Sequence, residues 1–276
     1  MIKIAVDSNA ECKQGDQIID SLVPIAVSVG EKDFLGGVNL ECDEFYEMLM
    51  NGKDFPSTTQ PSPQTFTDLF EEAQKNSDDL ILITISSALS GTYQSACIAK
   101  GMVGYDRIFI VDSMTATHPM WILTKAAYDM REEGKTAEEI VEALENLKSR
   151  TKVIAAVDTL EFLQRGGRLS KAAATIGSMA NLKPILTVTE EGKVAPIGKA
   201  LGKAKAMQFV MNKLKAVELD ENYPVFSLYT YGTENCETLE AQMKDAGYNV
   251  ADRRQIGPSV GAHVGPGAYG VVYVTK

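Results

Sequence analysis

Short apolar runs of strand length alternate with helical patterns in the first part of the chain. Three runs are rich in Ile and Val and end in polar, turn-forming residues: IKIAVDS (2–8), DLILITIS (79–86) and RIFIVDS (107–113). Buried parallel strands have this composition. Helical patterns separate them in SPQTFTDLFEEAQKNS (62–77) and SGTYQSACIAKGM (90–102). The alternation predicts βαβ units and a three-layer α/β/α domain with a mainly parallel sheet.

Two helix starts carry local signals. Ser62 and Pro63 are residue types favoured at the N-cap and at the first helical position. After the third apolar run a pair of helical patterns follows, and Thr136 and Glu139 at the start of the second have the spacing of a capping box.

The strand pattern restarts at KVIAAVDTLEFLQRGGRLSK (152–171). A chain of 276 residues exceeds the roughly 100 to 200 residues of an ordinary domain. We therefore expect an N-terminal α/β/α domain over 1–150 and a C-terminal α/β domain with a mixed sheet over 151–276. Within the second, PILTVTEEGKVAPIG (184–198) predicts two strands joined at the Glu-Gly turn, and strands are expected around His263.

Composition and charge exclude several classes of partner. Hydrophobic residues make up 45% and charged residues 23%, as in soluble globular proteins. The formal net charge is -10, which disfavours nucleic acid and anionic membrane surfaces. No apolar run approaches the roughly 18 residues of a membrane span, and the first residues lack a signal-peptide pattern. The four cysteines form no C-x-x-C pair, so we expect no zinc site and a cytoplasmic location.

Two polar segments open predicted helices. FPSTTQPSPQTF (55–66) is a loop with a hydroxyl cluster, and ISSALSGTYQSA (85–96) ends a strand in hydroxyls and enters a helix through Gly91. The first turn of a helix presents unpaired N–H groups and a partial positive charge, which favour a carboxylate or phosphate. Ser90 is suited to cap this helix and to bind such an anion. Each segment is also explained as a helix cap alone.

Two further polar segments contain one arginine and one histidine of interest. In LQRGGRLS (163–170) two glycines precede Arg168, which allows a tight turn that aims the guanidinium inward. In RRQIGPSVGAHVGPGAYGVVYV (253–274) five glycines surround His263, whose ordinary pKa near neutrality suits it to hydrogen-bond an anion or move a proton. The alternatives are an arginine that solvates a helix end and a structural histidine.

Nucleotide and cofactor motifs are not found. Gly265, Gly267 and Gly270 spell G-x-G-x-x-G, but a strand-like VVYVTK follows in place of a helix. There is no G-x-x-x-x-G-K-[ST] and no G-x-S-x-G. We expect no bound cofactor, and a nucleotide used in phosphoryl transfer would sit on another molecule.

Taken together, these segments resemble the DegV family of bacterial fatty-acid-binding proteins, which includes the FakB component of fatty acid kinase. The resemblance is carried by IAVDS, STTQPS, ISSALSGTYQSA, VDS, DTLEFLQRGGRLS, KPIL and IGPSVGAHVGPGAYGV, in this order. It extends over essentially the whole chain.

The resemblance implies a two-domain protein that buries a long-chain fatty acid between its domains. In FakB proteins a separate ATP-using kinase, FakA, phosphorylates the carboxyl group. By motif position, Thr58 and Ser90 correspond to the residues that bond the carboxylate, with Thr59 and Gly91 beside them. Arg168 and a protonated His263 correspond to those needed for phosphorylation.

The chain departs from the family pattern at two places. Thr59 stands where relatives have serine, which leaves the choice between Thr58 and Thr59 open. His118, Pro119 and Trp121, the only tryptophan, follow the third strand where many relatives carry small residues. They either pack the start of the next helix or line the tail pocket.

Three function classes stay open. The first is a carrier that binds a fatty acid and presents it to a FakA-like kinase. The second is an acyl hydrolase that uses Ser90 as nucleophile and His263 as base, although no third member is recognisable. The third is a sensor whose lipid occupancy alters a protein contact. Nothing in the sequence specifies an oligomeric state.

Overall fold

The computed structural model describes residues 1–169 and 181–276. In chain order its strands are β1 (Ile2–Asp7), β2 (Ser21–Val23), β3 (Ala26–Val29), β4 (Lys32–Leu35), β5 (Ser57–Thr59), β6 (Asp79–Thr84), β7 (Ile108–Asp112), β8 (Thr151–Ala156), β9 (Leu182–Val188), β10 (Val194–Leu201), β11 (Phe226–Tyr229), β12 (Arg254–Gln255) and β13 (Tyr269–Val274). Its α-helices are α1 (Cys42–Asn51), α2 (Pro63–Asn76), α3 (Thr92–Val103), α4 (His118–Glu132), α5 (Ala137–Arg150), α6 (Glu161–Arg165), α7 (Lys203–Lys215), α8 (Glu234–Asp245) and α9 (Pro258–Val264), and a short 3-10 helix, Ser8–Ala10, follows β1. Ser170, the last residue of the third polar segment, lies outside the described residues.

The first sheet is parallel, with strand order β2-β1-β6-β7. Successive side chains of a strand point to opposite faces, and both faces of this sheet are buried. Ala5 and Leu82 pack with residues of α2 and α3, whereas Ile4, Val6 and Ile83 pack with residues of α4 and α5. The predicted three-layer α/β/α arrangement is confirmed.

The second sheet has six strands in the order β10-β9-β8-β13-β11-β12. Its pairs are antiparallel except β11 with β12. The mixed sheet predicted for the second half of the chain is confirmed, and β9 and β10 form the hairpin expected at the Glu-Gly turn. The division of the chain at residue 150 stays a prediction.

A three-stranded antiparallel sheet, β4-β3-β5, was not predicted from the sequence. Strand β5 lies within the segment 55–66, which the sequence analysis treated as a loop. Because β5 has three residues, it is too short to show an alternating pattern. Its pairing with β3 sets Thr58 opposite Val27 and fixes the position of the threonine.

The predicted helix starts are confirmed. Ser62 caps α2 and Pro63 is its first residue. At α5 the N–H of Glu139 donates to Thr136 Oγ1 at 3.2 Å, and the N–H of Thr136 donates to Glu139 Oε2 at 2.8 Å. Both bonds of the capping box are therefore present, and such a cap contributes about 1 kcal/mol.

The strands predicted around His263 are present, because β12 and β13 flank it and belong to the six-stranded sheet, but His263 itself lies on α9, a helix that was not predicted. Pro258 is the first helical residue, and Gly265 ends the helix with φ of 77°, a conformation that favours glycine. Gly261 is buried in the middle of the helix, and a side chain there would collide with Tyr46 and Phe45 of α1. Close packing between α9 and α1 explains this glycine.

Among residues 1–169 and 181–276, none of the helices has the length and apolar character required to cross a lipid bilayer.

Candidate functional site

A cavity of about 340 Å³ lies between the carboxyl ends of the parallel strands and the six-stranded sheet. This volume falls within the range of small-molecule binding sites. Most of its lining is aliphatic, and the residues come from both halves of the chain, including Ile25, Ile85, Leu89, Val153, Leu186 and Leu228. Ligand sites of α/β proteins commonly lie at this end of a parallel sheet.

Four polar side chains stand out in the lining of the cavity. Thr58, Ser90, Arg168 and His263, which are far apart in sequence, all line it. Thr58 Oγ1 and His263 Nε2 lie 2.8 Å apart and share a hydrogen bond. The structure therefore brings together the four side chains that the sequence predicted separately. We call these four residues the head-group cluster.

Thr58 and Thr59 both border the cavity, but they differ in position. Adjacent residues of a strand point to opposite faces, and Thr58 is half-buried whereas Thr59 is exposed. Thr58 is the one bonded to His263. The geometry favours Thr58 as the threonine of the head-group cluster.

Ser90 precedes the first turn of α3. Its Oγ accepts a hydrogen bond from the N–H of Thr92 at 3.3 Å and lies 2.8 Å from Thr92 Oγ1. Gly91 is not among the residues that line the cavity, and a side chain there would collide with the amide group of Gln60. Gly91 therefore allows the segment after β5 to approach α3, which brings Thr58 near Ser90.

Arg168 connects the two halves of the chain at the rim of the cavity. Its Nε donates to the carbonyl of Leu89 at 3.0 Å, and Nη1 donates to the carbonyl of Gly166. Gly167 has φ of 71°, a left-handed conformation that turns the chain back toward the cavity. A side chain at Gly166 would collide with His263 Nδ1, so the two glycines allow Arg168 and His263 to come close together.

His263 is neutral in the ligand-free protein at physiological pH. Burial, and then the positive charge of Arg168, lower its pKa from 6.5 to about 4. A His263 that is protonated when an anion is bound stays a prediction. Its Nδ1 is buried, and none of the residues that the structure describes is hydrogen-bonded to it. An anion bound beside the ring would raise the pKa again, because it stabilises the imidazolium.

Five polar residues of the cavity lining were not among the predicted site residues: Asn9, Gln60, Thr117, Thr187 and Ser259. Asn9 and Thr117 follow β1 and β7, where the polar residues after each apolar run gave a signal. Ser259 lies four residues before His263, which is a helical spacing. It was overlooked because no helix was predicted for this segment.

His118, Pro119 and Trp121 form the start of α4 and are not among the residues that line this cavity. Trp121 packs on Phe226 with ring centroids 5.7 Å apart, and the guanidinium of Arg254 lies 4.1 Å from its centroid. These contacts support the helix-packing interpretation of the three residues.

A Ser90–His263 pair is not formed in this structure. The hydroxyl of Ser90 is bonded to Thr92 and the ring of His263 to Thr58. A nucleophilic serine requires a base within hydrogen-bond reach, so the hydrolase mechanism gains no geometric support.

Comparisons with known proteins agree with this arrangement. Residues 1–276 match the family described as "Uncharacterised protein, DegV family". A DegV domain-containing protein from Caldanaerobacter subterraneus subsp. tengcongensis is 35% identical, with all of both chains covered. The solved structure of a DegV family protein from Thermus thermophilus, described as fatty acid binding, has a TM-score of 0.88 at 29% identity, and the match covers 100% of this chain and 99% of that one.

The Streptococcus pneumoniae fatty acid kinase B3 protein, solved with linoleic acid, shares the same fold. Its TM-score is 0.86 at 22% identity, with 100% of both chains covered.

Proposed function

This chain belongs to the DegV family, and from this premise we propose that it binds a long-chain fatty acid in the cavity, with the carboxylate at the head-group cluster. The observation that carries the proposal is a mostly aliphatic cavity whose lining also includes two hydroxyl-bearing side chains, an arginine and a histidine of the head-group cluster. The similarity to the Thermus thermophilus protein described as fatty acid binding supports it.

The acyl chain supplies most of the binding free energy in this proposal. Each buried CH₂ contributes about 0.8 kcal/mol, so a chain of ~16 carbons supplies on the order of 10 kcal/mol before entropic costs. The carboxylate must be hydrogen-bonded to be buried. The hydroxyls of Thr58 and Ser90, the first amides of α3 and the guanidinium of Arg168 meet this requirement.

The second part of the proposal is presentation of the carboxyl group to a separate kinase. A carboxylate oxygen attacks the terminal phosphorus of ATP held by the partner, ADP leaves, and an acyl-phosphate forms. Arg168 and a His263 that gains a proton as negative charge accumulates stabilise the product. This sequence contains no nucleotide-binding motif, which supports the proposal that ATP binds to the kinase and the fatty acid to this chain. Because the reaction consumes ATP, the proposal includes a cytoplasmic location.

The test is native mass spectrometry of the purified protein, followed by denaturing extraction of anything bound. We expect one long-chain fatty acid per chain, either co-purified or taken up after loading. A protein that releases no acid and takes up none from a mixed panel of fatty acids would contradict the proposal.

A further inference from the structure

Two buried polar side chains border the cavity away from the head-group cluster. Asn9 and Ser259 are each 4% exposed and both line the cavity. Ser259 lies four residues before His263 on α9, which is about 6 Å along the helix axis. Ser8, the neighbour of Asn9, places its Oγ 3.3 Å from Ser259 Oγ. We call Asn9 and Ser259 the inner polar pair.

Asn9 offers a hydrogen-bond acceptor. Its Nδ2 donates to Asp7 Oδ1 at 2.6 Å, and its backbone N–H donates to the same oxygen at 2.9 Å. The amide oxygen and nitrogen diverge from Cγ, so Oδ1 points away from Asp7. Within residues 1–169 and 181–276, no group donates a hydrogen bond to Oδ1. A buried amide oxygen of this kind has two lone pairs to satisfy.

Ser259 offers a hydrogen-bond donor. The Oγ atoms of Ser8 and Ser259 share one long bond, and Ser8 Oγ also accepts from the N–H of Ile25 at 3.0 Å. Two hydroxyls have two hydrogens, so one hydrogen is left over. Ser8 does not line the cavity, whereas Ser259 does. If Ser8 donates to Ser259, the remaining hydrogen lies on Ser259, where the cavity provides space for a partner.

We propose that the inner polar pair binds a hydroxyl group on the acyl chain, and that hydroxy fatty acids are the preferred ligands of the cavity. This inference rests on the proposed function. A hydroxyl needs one acceptor and one donor, and Asn9 and Ser259 offer one of each, with Ser8 beside Asn9 in sequence and bonded to Ser259. A plain hydrocarbon chain leaves Asn9 Oδ1 without a donor and the hydrogen of Ser259 without an acceptor, and buried polar groups that lack such partners are unfavourable.

The test compares hexadecanoic acid with a set of hydroxyhexadecanoic acids that differ only in the position of the hydroxyl group. Affinities are measured by isothermal titration calorimetry on delipidated protein. We expect one position, several bonds from the carboxyl group, to bind about tenfold more tightly than hexadecanoic acid, as two hydrogen bonds allow. Hydroxyls that lie against the aliphatic part of the lining should weaken binding, because they lose hydrogen bonds to water without replacement.

Variants show whether the pair is responsible. Ser259→Ala should bring the ratio of the two affinities close to one, and Asn9→Leu should do the same. Ser149→Ala, on the exposed face of α5, is the matched control and should keep the ratio of the natural protein. If Ser259→Ala does not change the ratio of the affinities for the hydroxy acid and hexadecanoic acid, the inner polar pair does not bind the hydroxyl group.

The two proposals fail in different ways. If hexadecanoic acid binds and no hydroxy acid binds more tightly, the inner polar pair has no role in selection, and the proposed function stands. If neither class of acid binds, both proposals are wrong.

Discussion

At the scale of single residues, the head-group cluster combines a permanent cation with a histidine kept neutral. Burial, and then the charge of Arg168, lower the pKa of His263 to about 4, so this pair carries one positive charge when no anion is bound. An anion bound beside the ring would raise the pKa of His263, because it stabilises the imidazolium. In the proposed function, these two residues respond to the charge that accumulates during phosphorylation, and the hydroxyls of Thr58 and Ser90 bind the carboxylate before transfer.

If the roles are divided in this way, substitutions should affect phosphoryl transfer and fatty-acid binding differently. Arg168→Ala and His263→Ala should lower the rate of acyl-phosphate formation by a FakA-like kinase about 100-fold, and should weaken fatty-acid binding much less. Ser90→Ala should weaken binding by about threefold to tenfold, since one hydrogen bond is lost. Rates are measured by acyl-phosphate trapping and affinities by calorimetry.

Arg165→Ala is the matched control for Arg168→Ala. Arg165 is exposed on α6 and is paired with Glu161 of the same helix, so its loss should leave binding unaltered. Equal losses of binding in the Ser90, Arg168 and His263 variants would contradict the division of roles.

The sequence predicted these four residues by type and motif but not their geometry. Polar residues after apolar runs indicated Ser90, and the glycine pair indicated Arg168. The hydrogen bond between Thr58 and His263 depends on β5 and on α9, neither of which was predicted. The inner polar pair was missed because Asn9 and Ser259 border the same cavity only through the packing of segments that are distant in sequence.

At the scale of elements, α9 shows why local pattern failed. Its glycines predict a turn by composition, yet Gly261 is needed because α1 lies against the helix. The start of α9 also depends on a distant residue, since the N–H of its N-cap residue Gly257 donates to Glu11 Oε2 at 2.7 Å. The strands of the parallel sheet, by contrast, were predicted correctly, because their long apolar runs indicate buried strands directly.

Glu11 gives a pH-dependent prediction for this helix. Burial raises its pKa from 4.5 to about 8. Because the folded-state pKa lies above the unfolded value, ionisation opposes folding, and this group lowers the free energy of unfolding as the pH rises from about 4.5 to 8. Glu11→Gln keeps an acceptor for Gly257 and cannot ionise. The variant should gain stability relative to the natural protein over this range, as measured by urea denaturation at several pH values.

The control for this measurement is Glu142→Gln, an exposed position on α5, whose difference from the natural protein should not vary with pH. Asp7 also has its pKa raised by burial, to about 6, but it is common to all three proteins. A Glu11→Gln variant whose relative stability is constant from pH 5 to about 8 would contradict the buried, protonated state of Glu11.

At the scale of the whole molecule, the halves before and after residue 150 share one hydrophobic core. Met120 and Leu123 of α4 pack in the same cluster as Val153, Phe226 and Val272 of the six-stranded sheet. The cavity lining is also drawn from both halves. The protein is therefore expected to unfold in one cooperative transition despite its length.

Binding of a fatty acid should raise the free energy of unfolding of the whole protein, within the same single transition. A free ligand at 100 times its Kd adds about 2.7 kcal/mol to the free energy of unfolding. Calorimetry of delipidated and reloaded protein measures this difference. Two separate transitions, only one of which moves on loading, would show that the ligand contacts one half alone.

The bond from Arg168 to the carbonyl of Leu89 has a consequence for how a ligand leaves. It joins the second half of the chain to the loop that carries Ser90, and the Thr58–His263 bond joins the same halves through a second pair of side chains. A movement that separates the two halves at this place must break both bonds. If a fatty acid binds as proposed, the same movement also removes its contacts with the head-group cluster, so release of the ligand and separation of the halves form a single event.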